Sequence, residues 1–282
     1  MDESLILDAP FVKSVFHPSD FSEASENAFA HALAIALIRK TEFTILHTGG
    51  SSEDWRKFPA VRTTLERWGL LEPGSSQAEV FEQLAIRVKK VNLKSRSPLG
   101  AMLHYLDDHP MDLIVLATAG REGLPRWLQP SVAERIAGHS RTKTLFVPGK
   151  ARGFVAPEDG LLSIRRVLLP VDHRPSPLPA IEYTARIARI LTTPVEVILV
   201  YVGDSTELPA SALPEVPGCT WKQEHRQGGV VDELLKAARE HDVDLITMTT
   251  AGQEGILDAL RGSVTQQVLR QAPCPLLAVP EN

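Results

Sequence analysis

The second part of the chain alternates short apolar runs with segments of helical periodicity. Arg166 to Val171 is a β-rich apolar run, and Ala180 to Leu191 places apolar residues at helical spacing. Val195 to Val202 (VEVILVYV) reads as a second strand, and Cys219 to Arg226 as a weaker, alternating third. A helix over Val230 to His241, a strand over Asp244 to Thr249, a helix over Val264 to Gln271 and a strand over Pro275 to Val279 complete the pattern. Near-continuous apolar strands alternating with helices imply a parallel sheet covered on both faces. In the first part, the most apolar long stretch is Phe29 to Ile38, with His31 inside it. Ten residues fall short of the roughly 20 that cross a bilayer, so this stretch reads as a core helix.

The pattern occurs twice. MDLIVLATAGREGLPRWLQPSVAERI from Met111 matches VDLITMTTAGQEGILDALRGSVTQQV from Val243. Asp112 and Asp244, Gly120 and Gly252, Gly123 and Gly255, and Ser131 and Ser263 all stand 132 residues apart, as do the strand ends Val147-Pro148 and Val279-Pro280. The starts match at another offset: VFHPSD from Val15 and LLPVD from Leu168 place Asp20 and Asp172 152 residues apart. The first copy therefore carries 20 more residues, assigned to an added helical excursion at 51–78 with Trp55, Phe58 and Trp68 available for packing. Two copies of this length mean two domains and not a solenoid. The expected boundaries are a first domain over 1–149, a linker rich in Gly, Pro and charge over 150–163, and a second domain over 164–282.

In open parallel sheets ligands bind beyond the carboxyl ends of the strands. Asp20 and Asp172 follow the first strand of each copy, and the glycine loops follow the fourth. The loop Gly252-x2-Gly255-x6-Gly262-Ser263 opens directly onto a helix, where glycines let the backbone approach a ligand and exposed N–H groups suit a phosphate. A carboxylate opposite can accept hydrogen bonds from ribose hydroxyls. Each candidate also has a plainer role. Ser263-x-x-Gln266 and Ser131-x-x-Glu134 are capping boxes, Asp20 can cap the helix beginning near Ser22, and Asp172 can order the turn His173-Arg174-Pro175. His17 and His47, at strand ends, more often pack or hydrogen-bond than act, and Cys274 between two prolines reads as a small buried residue.

On PSDFSEAS with Asp20, ILHT ending at Thr48, and the loop ending Arg261-Gly262-Ser263-Val264, the chain resembles the universal stress protein family in tandem form. The resemblance implies α/β domains that are doubly wound and Rossmann-like, with strand order 3-2-1-4-5, paired through their last strands into an internal pseudo-dimer. In the ATP-binding branch the loop is G-x2-G-x9-G-[ST]; the Asp after strand 1 and a residue ending strand 2 hold adenosine, while the loop holds ribose and phosphates. Carried over, the second domain offers Asp172, Val202, Gly252, Gly255, Gly262, Ser263 and Val264. The first offers a weaker set: Asp20, Thr48, Gly120, Gly123, Ser131 and Val132. Both loops depart from that pattern, with six intervening residues in place of nine and an acid, Glu122 or Glu254, between the first two glycines. Pro130 replaces the third glycine of the first copy and removes an N–H.

The resemblance implies a cytoplasmic stress-response protein that binds an adenine nucleotide, ATP or AMP with or without Mg, preferentially in the second domain, as a sensor or regulator. An interaction scaffold without nucleotide, working through its domain faces with a second copy or other proteins, is the alternative reading, and a slow nucleotide hydrolase a distant third. Composition narrows the field further. The 282 residues are 43% apolar and 23% charged, as in ordinary globular protein, and the net charge of −5 gives no general pull toward nucleic acid or anionic lipid. Two cysteines make no disulfide framework, and the acidic start Met1-Asp2-Glu3 is unlike a signal peptide, both of which fit a reduced cytoplasmic setting. The sequence lacks metal-ligand spacings, G-x-x-x-x-G-K-[ST], G-x-S-x-G and a G-x-G-x-x-G after the first strand, so an enzyme is not expected.

Overall fold

The first strand of each half is the centre of its sheet. In the first half β1 (Ser14–Pro18) lies between β2 (Glu42–His47) and β4 (Leu113–Thr118), with β3 (Arg87–Asn92) outside β2 and β5 (Lys143–Pro148) outside β4. The second half repeats this with β6 (Arg166–Pro170), β7 (Val195–Val202), β8 (Cys219–Arg226), β9 (Leu245–Thr250) and β10 (Leu276–Pro280). All pairings within a half are parallel, so each half has the 3-2-1-4-5 order the sequence implies. The halves meet where β5 and β10 pair antiparallel, Leu277 opposite Leu145, which makes one ten-stranded sheet. The structure is a computed structural model that describes residues 12–49, 51–118, 142–149, 152–204, 213–250 and 264–281.

Successive residues of a strand point to opposite faces, and the apolar runs are long enough to fill both. Val15, Ile45, Val115, Leu145, Val167, Val197 and Leu277 pack on one face, against α1 (Glu23–Arg39) and α5 (Leu178–Ile190). Phe16, Leu46, Ile114, Phe146, Leu168, Ile198 and Leu276 pack on the other, with residues of α4 (Pro98–Asp108), α6 (Val230–Glu240) and α7 (Val264–Leu269). Each apolar layer runs unbroken across the junction. Helix α1 begins at the N-cap Ser22, whose side chain accepts from Ser25 N–H, and stops where Lys40 turns left-handed at φ 50°. Helix α5 starts at Leu178, two residues before the expected Ala180, because Pro179 fits a first helical turn.

The repeated aspartates hold the strands together. Asp112 Oδ2 accepts from the N–H groups of Lys13 (2.7 Å) and Ser14 (3.1 Å), and Asp244 Oδ2 accepts from those of Arg165 (2.8 Å) and Arg166 (3.0 Å). Each carboxylate thus ties the chain before the fourth strand to the start of the first. Asp244 also pairs with Arg152.

The excursion at 51–78 holds a 3₁₀ turn at Ser52–Arg56 and α2 (Val61–Arg67), and α3 (Gln77–Leu84) follows from its end. Phe58 and Trp68 are buried by it, while Trp55 stays half exposed. The described part of the connection between the halves, residues 152–163, is pinned to the first half. Val155 bridges Leu162, Trp68 Nε1 donates to the Pro157 carbonyl (3.0 Å), and the buried His31 Nε2 accepts from the N–H of Phe154 (3.1 Å) and Val155 (3.3 Å).

Candidate functional site

The two candidate crevices lie at the C-terminal strand ends of each half and are built differently. In the first half, Asp20 Oδ1 accepts from the N–H (3.0 Å) and hydroxyl (2.6 Å) of Ser22. That oxygen orders the N-cap of α1. The next residue, Phe21, lies stacked on His47 with ring centroids 3.9 Å apart, and Phe58 from the excursion meets Phe21 edge-on at 5.3 Å. Trp55 stacks in turn on Phe58 at 5.2 Å. His47 is fixed from behind: Nδ1–H donates to the Ser19 carbonyl (2.7 Å), and Nε2 stands 3.9 Å from Asp54 Oδ2. Thr48 is buried, and its hydroxyl has no hydrogen-bond partner among the described residues. Aromatic side chains therefore fill the space over the end of β2.

Beneath them lies a buried polar chain. Ser19 and Ser25 hydroxyls are 3.0 Å apart, the Ser25 hydroxyl reaches His17 Nε2 at 3.3 Å, and His17 Nδ1–H donates to the Val115 carbonyl (3.0 Å). Burial pushes the His17 imidazole down to about 4, so it is neutral at physiological pH. This chain satisfies polar groups, and so weak a base does not activate a serine.

In the second half, Asp172 is exposed, and the one hydrogen bond its carboxylate makes among the described residues is from the N–H of His173 (2.7 Å). The turn that follows is held from the last strand's side, where Ser176 N–H donates to Glu281 Oε1 (2.9 Å). Over the end of β7, Tyr201 lies stacked with His225 at 5.7 Å, and His173 meets it edge-on at 6.1 Å. Val202 is half-buried at that strand end, and Val264, which opens α7, is exposed. The carboxylate of this half is thus exposed, whereas its counterpart in the first half is half-buried.

Sequence comparison of the two copies missed two matched pairs. Strand register sets His47 level with Tyr201 and Gly49 level with Gly203, because Pro18 faces Leu46 as Pro170 faces Val200. A Cβ on Gly49 would stand 2.6 Å from His47 Nε2, and one on Gly203 2.6 Å from the Tyr201 hydroxyl oxygen. Only glycine lets the backbone pass over each ring. The signal was ILHTGG against LVYVGD at a third offset, 154. Of the site residues expected from the sequence, Asp20, Thr48, Asp172, Val202 and Val264 are described. Gly120, Gly123, Ser131, Val132, Gly252, Gly255, Gly262 and Ser263 lie outside the described residues, as do Pro130, Glu122 and Glu254.

Other chemistry has little to stand on. Burial pushes the Cys274 thiol up to about 12 and the Cys219 thiol up to about 11, so neither is a ready nucleophile. Among the described residues no group of three His, Cys, Asp or Glu side chains is arranged to hold a metal ion. No described helix is long and apolar enough to cross a membrane.

Comparison with known proteins bears on the whole chain. A universal stress protein of Methanothermobacter thermautotrophicus is 40% identical over 63 residues, a match spanning 22% of this chain and 42% of that one. A second, from Methanocaldococcus jannaschii, is 26% identical over 140 residues, spanning 41% of this chain and 81% of that one. A universal stress protein of solved structure from Archaeoglobus fulgidus superposes with a TM-score of 0.62 over 96% of this chain and 99% of its own, at 15% identity, and so shares the fold. The universal stress protein family model matches residues 12–148 and 211–280, most of both halves. With this repeated sheet and that match, the chain belongs to the universal stress protein family.

Proposed function

We propose that this protein is a nucleotide-responsive regulator, not an enzyme, whose working crevice is that of the second half, with the halves divided within 150–163. The observation that carries this reading is the contrast between the two aspartates. Among the described residues, Asp20 Oδ1 accepts twice from Ser22 beside the stacked Phe21, His47 and Phe58, whereas Asp172 is exposed and accepts only from the N–H of His173. An ionised carboxylate with free acceptor capacity suits a ribose diol, and charge-assisted hydrogen bonds of that kind contribute about 1.5–3 kcal/mol each. The half-buried Val202 offers an apolar surface for a base beside Asp172. The loop Gly252 to Ser263, with Gly262 where the first copy has Pro130, supplies backbone donors for phosphates on this reading. An adenine nucleotide, ATP or AMP, is the ligand of choice, acting in the cytoplasm.

Titration calorimetry with ATP and with AMP on the full chain tests it. The expected result is one equivalent per chain, weakened roughly 10- to 150-fold by Asp172→Ala and little changed by Asp20→Ala. Two equivalents of similar affinity, or loss through Asp20→Ala alone, would put the working site in the other half. Absence of binding to wild type would favour a scaffold without nucleotide.

A further inference from the structure

A cavity of about 800 Å³ opens beside β3 at the free edge of the sheet, and neither Asp20 nor Asp172 lines it. It is lined by the excursion, α3 and β3, and its apolar part is made by Phe58, Val80 and Ile86, all buried. Three cations line it: Arg62 from α2, and Arg87 and Lys90 from β3. None of the lining residues is acidic, and among the described residues none of the three cations makes an ion pair. Each is positioned by a neutral neighbour. Arg62 donates to the Ser75 carbonyl (3.0 Å), the Arg87 guanidinium lies 5.0 Å from the Phe81 ring centre, and the Lys90 ammonium 5.9 Å from that of Phe58.

Lysines on an edge strand ordinarily guard it against pairing with another sheet, and the exposed Lys89 is placed for that. Lys90 is different. It is half-buried on the excursion side, and burial together with the facing Arg62 holds its ammonium below the ordinary lysine range. A guard gains nothing from being drawn out of water toward a second cation. Positive charge gathered beside apolar side chains, in a chain of net charge −5, favours a negatively charged occupant. The volume falls within the range of about 300–1,000 Å³ typical of small-molecule sites.

We propose that this cavity binds a small amphipathic anion. Its phosphate, sulfonate or carboxylate lies between Arg62 and Lys90, and its ring or short alkyl body rests on Phe58, Val80 and Ile86. The site is separate from the nucleotide crevice of the second half and shares none of its residues.

Fluorescence titration of the full chain with 1-naphthyl phosphate is the test. One equivalent should bind, weakening with added salt. Arg62→Gln and Lys90→Met should each reduce affinity by about 10-fold or more, the loss of one charge-assisted contact. Inorganic phosphate and 1-naphthol, each lacking one half of the probe, should bind at least about 10-fold more weakly by the same reasoning. Asp172→Ala should leave the titration unchanged, which separates this site from the nucleotide crevice. Lys90→Met should melt at or above the wild-type temperature without ligand, since it removes an uncompensated, half-buried charge. Undiminished binding by both cavity variants, equal binding of 1-naphthol, loss through Asp172→Ala, or a lower-melting Lys90→Met would each overturn the proposal.

Discussion

His31 shows how much one buried side chain can organise. Its Nδ1–H donates to the Asn27 carbonyl (2.8 Å), which leaves the Nε2 lone pair to receive the N–H groups of Phe154 and Val155. Protonation would abolish that acceptor. Burial pushes His31 down to about 4, as it does His17, whose Nε2 accepts from Ser25. An unfolded histidine binds its proton near pH 6.5, so between about 6.5 and 4 the unfolded chain holds more protons and stability falls as pH falls. The loss is on the order of 3 kcal/mol for each histidine by pH 4, and absent above about pH 7. Urea midpoints across that window should decline steeply in wild type and less steeply in His31→Gln; parallel slopes would show that His31 does not carry the effect. Asp244 is the second residue of this kind, nearly inaccessible and accepting from two backbone N–H groups. Asp244→Ala leaves those part-buried donors without their acceptor, at up to about 1–3 kcal/mol each, and should lower the urea midpoint at pH 7. A near-neutral Asp244→Ala would mean that water replaces the carboxylate.

Elements made of local signals were legible in the sequence, and elements held by distant partners were not. VEVILVYV is strand β7 residue for residue, and CTWKQEHR, whose alternation is weaker, is the edge strand β8, with little to bury. The excursion was readable as helical, but the place where its aromatic residues settle was not. Phe58 meets Phe21 across 37 positions of sequence, and no periodicity encodes which crevice an insertion fills. For the same reason Asp20 and Asp172 look equivalent as letters and differ as sites. The connection between the halves has a turn-like composition, and its order comes from His31, more than a hundred positions earlier. Gly160 in that turn has φ +72°, and a Cβ there would stand 2.4 Å from the Trp68 ring. Gly160→Ala should therefore cost about 1–3 kcal/mol through backbone strain and loosen the turn. A lower melting temperature with faster proteolytic cleavage near Gly160 is the expected result, and an unchanged cleavage rate would count against it.

Across the whole molecule, the β5–β10 junction makes one cooperative body from two copies. Leu145 and Leu277 face one another across it and are almost wholly buried, each in a different half. Leu145→Ala and Leu277→Ala should each destabilise by about 2–5 kcal/mol, and the double variant should fall short of their sum because they share one cavity. Calorimetry should record a single transition that both variants move; two transitions, each sensitive to one variant, would mean that the halves unfold separately. Because β5 and β10 run antiparallel, the two bundles of parallel strands point in opposite directions, and their crevices open at opposite ends of the sheet. In a dimer of identical chains, every substitution in one crevice is copied into the other, so neither can change its task without its twin. Joining the copies in one polypeptide removes that bond. One end became a plug of stacked rings while the other kept its carboxylate in water, and the shared sheet holds both without asking them to agree.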